Sequence, residues 1–242
     1  MIRQHVRGIF SGWFLGKLLA VAILASGAWA FIEGASSPQL RVTRVDVVGN
    51  RLVGTDEILS MLSVEGENVF LIRSPRIERR LLADPAIEWS TVEPRLPDLV
   101  EIHIGERQPA VVWDTGVRRT LADADGLGLR ESPPGTVSLP VVRAPEGPEV
   151  DPGGRADRVA VRVAQAVGPR LDALELPNGW IEFHPNSGVS LVTPSGMRVA
   201  LGFGDDVENK ITAYQAIRGY LSQTKTPASF IDVRFHERPY FR

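Results

Sequence analysis

Residues 13–32 read WFLGKLLAVAILASGAWAFI, and this apolar run decides how the rest of the chain is organised. A helix rises about 1.5 Å per residue, so about twenty residues reach the roughly 30 Å hydrocarbon thickness of a bilayer. The run therefore predicts a single transmembrane helix that is in contact with membrane lipid. Its anchor residues are Trp13, Lys17, Leu18, Leu19, Ile23, Leu24, Trp29, Phe31 and Ile32.

The charges around this run predict its orientation. Arg3, Arg7 and Lys17 occur in the first 32 residues without any acidic residue. Because positively charged flanks stay in the cytoplasm, we expect residues 1–12 to form a short cytoplasmic tail. The bulk of the chain then lies outside, and residues 33–39 form a polar tether leading off the membrane.

A cleaved signal peptide is the alternative interpretation, because Ala28, Trp29 and Ala30 have the small-x-small form of a cleavage site. The apolar run, however, continues through this site to Phe31 and Ile32. Tryptophans near both ends of the run also suit the two interfaces of a bilayer. A retained anchor is therefore the favoured prediction.

Composition excludes several classes of function. Beyond the anchor the chain carries 24 basic residues against 29 acidic ones, which disfavours nucleic acid as a partner. The sequence contains no cysteine, so disulfides, thiolate catalysis and cysteine-bound zinc are excluded. The exterior part must therefore be stabilised by packing.

Residues 40–107 show the pattern of a small β-α-α-β-β domain. Strands are expected around Val45 and over 87–93 and 100–104, where apolar and polar residues alternate. Two helices are expected between them, one opening at Asp56 and one capped by Ser74. Their predicted buried residues are Ile58, Leu59 and Leu62 in the first helix, and Ile77, Leu81 and Leu82 in the second.

Residues 108–242 predict a mixed α/β domain with a mainly antiparallel sheet. Helices are expected over 155–167 and from Asp205, with strands over 180–184, 189–193 and 197–201. A last strand is expected over 230–242, with Ile231, Val233 and Phe235 on one face. The whole chain is therefore predicted to be α+β, with an N-terminal transmembrane helix preceding two domains.

Short matches to catalytic motifs do not assemble into an active site. Ser222 and Lys225 fit S-x-x-K, but the companion K-T-G is missing because Thr226 is followed by proline. Asp123 and Asp125 resemble part of a calcium loop whose first and last positions do not fit, so a turn is predicted. The histidines lack metal-ligand spacing. We therefore expect no enzymatic activity, no cofactor and no metal.

Several motifs together resemble the FtsQ/DivIB family of bacterial cell-division proteins. They are VDVVGN at 45–50, GENVF at 66–70, ERQPAVVW at 106–113, TLADADG at 120–126, LPVV at 139–142 and IDVR at 231–234, with Gly202 and Lys210 at family positions. The resemblance covers essentially the whole chain and implies that residues 40–107 form a POTRA domain. It also implies a single-pass protein of the cytoplasmic, or inner, membrane at the division septum.

The resemblance further implies a non-enzymatic scaffold that links early and late division proteins. Relatives bind the small coiled-coil proteins FtsB and FtsL through their C-terminal strand region, and the POTRA domain would serve recruitment by earlier proteins. The open alternatives are another POTRA-bearing envelope assembly or secretion protein, and a secreted enzyme with an unrecognised site.

The final residues fit such a docking role. A last strand often lies at the rim of a sheet, and proline is tolerated there, as at Pro239. Tyr240 and Phe241 then offer aromatic surface beside unpaired backbone, although they could instead fold back onto the core. The predicted partner-binding residues are Phe235, His236, Glu237, Arg238, Pro239, Tyr240, Phe241 and Arg242.

Overall fold

A computed structural model of the chain describes residues 7–133, 135 and 138–242, with only the backbone described for 7–15, 30–32 and 34–36. The chain divides into two compact units. The first comprises the chain up to Leu82 together with 89–105, and the second comprises 83–88 and 106–242.

The first unit contains an N-terminal helix and a three-stranded sheet with two helices. Helix α1 (Arg7–Ser36) is followed by a short 3-10 turn at Pro38–Leu40. The remaining elements are β1 (Arg44–Val48), α2 (Thr55–Met61), α3 (Ser74–Leu81), β2 (Ile87–Arg95) and β3 (Leu99–Glu106). Strand β3 lies in the centre of the sheet and is parallel to β1. The predicted β-α-α-β-β order is confirmed.

The core of this unit follows the predicted periodicity in part, since Leu59 and Leu62 are only half-buried. Ile58 and Leu81 on the helices and Ile102 on β3 are fully buried. Leu82, which was expected on the buried face of α3, is 45% exposed. It is the residue after the last helical one, and one step of about 100° around a helix carries a side chain off the buried face.

The residue directly after β1 is a glycine, Gly49, because the backbone of β3 leaves no room for a side chain there. Gly49 has φ 98°, and a Cβ there would lie 2.1 Å from the carbonyl oxygen of Ile104. A residue with a side chain would therefore displace the adjacent strand.

The second unit is built on one extended sheet. Its strands are β4 (Val111–Asp114), β5 (Arg119–Ala122), β6 (Gly128–Glu131), β7 (Val141–Arg143), β8 (Trp180–His184), β9 (Gly188–Val192), β10 (Arg198–Gly202), β11 (Phe230–Asp232) and β12 (Tyr240–Phe241). Over the described residues their spatial order is β12-β11-β10-β9-β8-β7-β4-β5-β6. The β4/β7, β7/β8 and β10/β11 pairs are parallel and the others antiparallel, which confirms a mainly antiparallel sheet.

Two helices contribute to the core of the second unit. Helix α4 (Arg158–Val167) begins three residues later than expected, because the Asp157 side chain caps it by accepting a bond from the Ala160 N–H at 2.8 Å. Helix α5 (Val207–Thr224) buries the whole predicted stripe: Val207, Ile211, Tyr214, Ile217 and Leu221.

The prediction of one continuous strand over 230–242 is wrong. Strand β11 stops at Asp232, and the chain turns over 233–239 before returning as β12, antiparallel to β11. The Asp232 carboxylate accepts a bond from the Arg234 N–H at 3.0 Å, and this side-chain bond favours a turn over continued extension. As a result Asp232 is buried, while Phe235 is 75% exposed rather than part of the core.

Candidate functional site

The predicted anchor residues lie on α1. The side chains of Leu18, Leu19, Ile23, Leu24 and Trp29 are all more than 60% exposed, and Lys17 is exposed as well. Those of Trp13, Phe31 and Ile32 lie outside the described side chains. Within the part of the chain that the structure describes, no helix meets both the length and the apolarity that crossing a membrane requires.

The predicted docking edge lies at the rim of the second sheet, where β12 is the terminal strand. It pairs only with β11, through Ile231 opposite Phe241 and Asp232 opposite Tyr240. The Arg242 N–H donates to the Phe230 carbonyl at 2.9 Å, and the Phe230 N–H donates back to the Arg242 carbonyl at 3.1 Å. Tyr240 and Arg242 therefore direct their backbone groups inward.

In an antiparallel pair, the backbone groups of successive residues point alternately toward and away from the partner strand, so those of Phe241 point away from β11. Its partner Ile231 forms a non-hydrogen-bonded pair with it, so the N–H and C=O of Phe241 face away from β11. This leaves one acceptor and one donor of Phe241 along the open rim of the described sheet.

A groove of about 540 Å³ lies between this rim and α5. It is lined by Ala213, Ala216, Ile217, Tyr220, His236, Pro239, Tyr240 and Phe241. The rings of Tyr220 and Phe241 are 6.0 Å apart. Sequence reasoning missed Ala213, Ala216 and Tyr220. These residues are spaced by three and four positions and lie beside the buried stripe of α5, and this spacing could have indicated a shared helix face.

The structure separates the predicted partner-binding residues into two groups. His236, Pro239, Tyr240 and Phe241 come together at the groove. Phe235, Glu237 and Arg238 lie in the turn before it, where the Arg238 N–H donates to the Phe235 carbonyl at 3.0 Å. Phe241 is half-buried against the core, as the fold-back alternative required, while Tyr240 remains 51% exposed.

A charged network fixes the turn that leads to β12. The Asp206 carboxylate at the start of α5 lies 2.9 Å from His236 Nδ1 and 2.9 Å from Lys210 Nζ. Lys210 Nζ also donates to the Phe203 carbonyl at 2.8 Å. The hydrogen bond from Lys210 holds the pKa of the Asp206 carboxyl below its usual value, although partial burial opposes the shift. The Asp206 side chain, at the start of α5, thus contacts the His236 side chain in the turn before the rim strand.

The candidate catalytic motifs have structural explanations. The Asp123 carboxylate accepts bonds from the N–H groups of Asp125 and Leu127, both at 2.9 Å, which confirms the predicted turn. Lys225 terminates α5 in a left-handed conformation with φ 54°. Among the described residues, no group of three or more histidines and carboxylates is placed to hold a metal ion.

Comparisons with known proteins agree with this architecture. Residues 40–107 match the family model "POTRA domain, FtsQ-type". The chain is 28% identical to cell division protein FtsQ of Chloroflexus aurantiacus, over 90% of this chain and 80% of the relative. It is 27% identical to FtsQ of Chloroflexus aggregans, over 96% and 83% of the two chains. It is 25% identical to FtsQ of Neisseria meningitidis serogroup B, over 93% and 90%. Residues 40–107 therefore match an FtsQ-type POTRA domain, and the chain is similar to FtsQ cell-division proteins over at least 90% of its length.

Proposed function

We propose that this protein is a non-enzymatic, membrane-anchored scaffold of the division machinery that binds FtsB-like and FtsL-like coiled-coil proteins through β12. The observation that carries the proposal is the open rim of β12, flanked by the groove against α5. Similarity to FtsQ cell-division proteins over most of the chain supports division proteins as the partners.

The binding mode is the addition of a partner strand to the sheet. The outward N–H and C=O of Phe241 would pair with the backbone of that strand. Side chains of the partner would enter the groove, where the exposed ring of Tyr240 and the small residues Ala213 and Ala216 leave room. Backbone pairing then supplies part of the affinity, and the groove supplies the specificity.

The remaining parts of the proposal concern placement. Residues 13–32 would hold the chain in the cytoplasmic membrane at the septum, with the short tail inside and residues 33–242 outside. The POTRA unit would serve recruitment by division proteins that arrive earlier. The apolar run and the basic residues before it support the first statement, and the family match over 40–107 supports the second.

The test is truncation after Glu237, which removes β12 and leaves β11 in place. We expect binding to the FtsB-like protein of the same genome, measured by calorimetry, to weaken by at least about tenfold, since the whole pairing edge is lost. Tyr240→Ala should weaken it less. Val117→Ala, at a residue 86% exposed in the turn between β4 and β5, is the matched control and should have no effect.

A thermal melt of each variant checks that the second unit still folds. A truncated chain that melts normally and binds with unchanged affinity would contradict the assignment of the site to β12.

A further inference from the structure

A basic groove lies between α3 and the segment that connects α2 to α3 in the first unit, here called the POTRA unit. Its volume is about 540 Å³, and it is lined by Ser63, Val64, Glu67, Asn68, Leu71, Arg73, Arg76, Ile77 and Arg80. A second cavity, lined in part by Arg73, Arg76 and Arg79, adjoins it. Four arginines thus share one surface, which we call the arginine face, and Glu67 is the acidic residue that lines the groove.

Helical geometry produces this concentration of charge. Helix α3 buries Ile77 and Leu81, so Arg76, Arg79 and Arg80 project from its solvent side at three- and four-residue spacing. Arg79 Nε donates to the Pro75 carbonyl at 3.2 Å, and Arg80 Nη1 donates to the Met61 carbonyl at 3.2 Å. These acceptors are neutral and leave the positive charges uncompensated.

Two other arginines of this unit, Arg44 and Arg95, are paired with carboxylates. Arg44 lies 2.8 Å from Asp98, and Arg95 lies 2.7 Å from Glu93 and 3.1 Å from Glu101. Over the described residues, by contrast, none of the four members of the arginine face forms an ion pair. The face is therefore suited to an anionic ligand from outside the chain.

Two exposed apolar side chains stand beside the arginines. Phe70 is 59% and Leu71 is 64% exposed, in the short 3-10 helix directly before Arg73. A membrane surface has a layer of phosphates above a layer of acyl chains. The guanidinium groups can bind the phosphates, and the neighbouring aromatic and aliphatic side chains can contact the acyl chains. A purely polar acidic ligand would leave Phe70 and Leu71 without a role.

The path of the chain brings this face close to the N-terminal helix. The Val42 N–H donates to the Glu67 carbonyl and the Gly66 N–H donates to the Val42 carbonyl, both at 2.9 Å. Arg41 forms an isolated bridge with Asn68, which lines the groove. Four residues separate Arg41 from the end of α1 at Ser36, and the five Cα–Cα steps reach at most about 18 Å.

We propose that the arginine face binds anionic phospholipid headgroups of the membrane that holds α1. The inference rests on the membrane anchorage included in the proposed function. Arg73, Arg76, Arg79 and Arg80 bind the phosphates, while Phe70 and Leu71 enter the interface. Contact at this face holds the POTRA unit against the bilayer and so fixes its orientation on the short tether.

The test places the full-length chain in lipid nanodiscs. Because the chain has no cysteine, Ser63→Cys in the groove can carry a single fluorophore. Quenching by a neutral, water-soluble quencher is compared between phosphatidylcholine discs and discs that also contain phosphatidylglycerol. We expect quenching to fall at least about twofold in the anionic discs and to recover at high salt.

The variant Arg76→Gln/Arg79→Gln/Arg80→Gln should abolish this lipid dependence. The control Arg158→Gln/Arg162→Gln/Arg170→Gln removes the same charge from α4 and the turn after it, and should preserve the dependence. A label at Ser222→Cys in the second unit should not respond to lipid composition. A thermal melt of each variant confirms folding.

Equal quenching in both discs would overturn the lipid contact. A second result would also overturn it: quenching of the label does not change with phosphatidylglycerol but falls when polyglutamate is added to neutral discs. That result would assign the face to an acidic protein segment. Failure to enter neutral discs would overturn the anchor and this inference with it. None of these results depends on the FtsB-like partner, whose binding is measured separately.

Discussion

The Lys210 side chain is 2% exposed, and its ammonium lies 2.9 Å from the Asp206 carboxylate one helical turn earlier. The Asp206 carboxylate also contacts His236, so this pair joins the interior of α5 to the turn that precedes β12. Its charges can be tested one at a time, because each partner has a distinct second contact.

Asp206→Asn should destabilise the second unit at neutral pH, because it removes the countercharge of a buried ammonium. The hydrogen bond from Lys210 lowers the pKa of Asp206, so this carboxylate stabilises the fold above its unfolded-state pKa, near 4. That contribution is lost as the pH falls through the lower, folded-state pKa. The difference in Tm between wild type and variant should therefore shrink below about pH 4. A constant difference down to pH 2 would contradict the ion pair.

Lys210→Met should destabilise the second unit by about 2 kcal/mol, since it removes the donor that satisfies the Phe203 carbonyl. Urea unfolding measures the loss. Lys225→Met, at an exposed lysine beyond the end of α5, is the matched control and should change the midpoint little. Equal effects of the two substitutions would show that burial of Lys210 carries no special weight.

Gly188→Ala should cost at least about 3 kcal/mol of unfolding free energy, through left-handed strain together with a backbone clash. Gly188 has φ 75°, and a Cβ there would lie 2.4 Å from the Gly202 carbonyl carbon on the neighbouring strand. Gly196 has φ 85° with no described atom within 4 Å of such a Cβ, so Gly196→Ala should cost only about 1 kcal/mol. Similar losses for both would argue against the clash.

Trp113→Phe should destabilise the second unit by about 1–3 kcal/mol, because the buried side chain loses its hydrogen bond and its ring becomes smaller. The Trp113 indole donates to the Pro148 carbonyl at 3.0 Å and packs 5.3 Å from Phe183. Trp180→Phe, at a half-buried position, should cost less. Faster amide exchange in loop 145–154 of the Trp113 variant would confirm that the indole holds this loop.

The anchor has its own test. We expect protein purified from membranes to retain residues 13–32, since the apolar run passes uninterrupted through Ala30. Intact-mass measurement decides the matter, and a product that begins at Phe31 would show a cleaved signal peptide instead.

Sequence periodicity predicted most of the fold. The two-residue alternation at Val100, Ile102 and Ile104, and the stripe that includes Tyr214 on α5, are each buried as expected. These patterns can be read from the local sequence, because regular backbone geometry places all residues of a stripe on one face of the helix or strand.

The errors arose where one side chain overrides periodicity. The carboxylates of Asp157 and Asp232 each capture nearby N–H groups, which delays the start of α4 and ends β11 early. Alternation alone carries no information about such bonds. The groove escaped prediction for another reason, since its walls at Tyr220 and Tyr240 come from elements that only the tertiary fold brings together.

Strand β12 is only two residues long, and Pro239, which has no N–H, directly precedes it. A strand added at this rim finds a donor at Phe241 but none at Pro239, so sliding along the rim forfeits a bond and one register is preferred. Each backbone hydrogen bond to an added strand contributes only about 0.5–1.5 kcal/mol of binding free energy, and so short a strand can form only a few of them. Discrimination between related coiled-coil proteins must therefore come from the few partner side chains that enter the groove. Exchanging Ala213, Ala216 and Tyr220 for the corresponding residues of a relative is the direct way to change which partner binds.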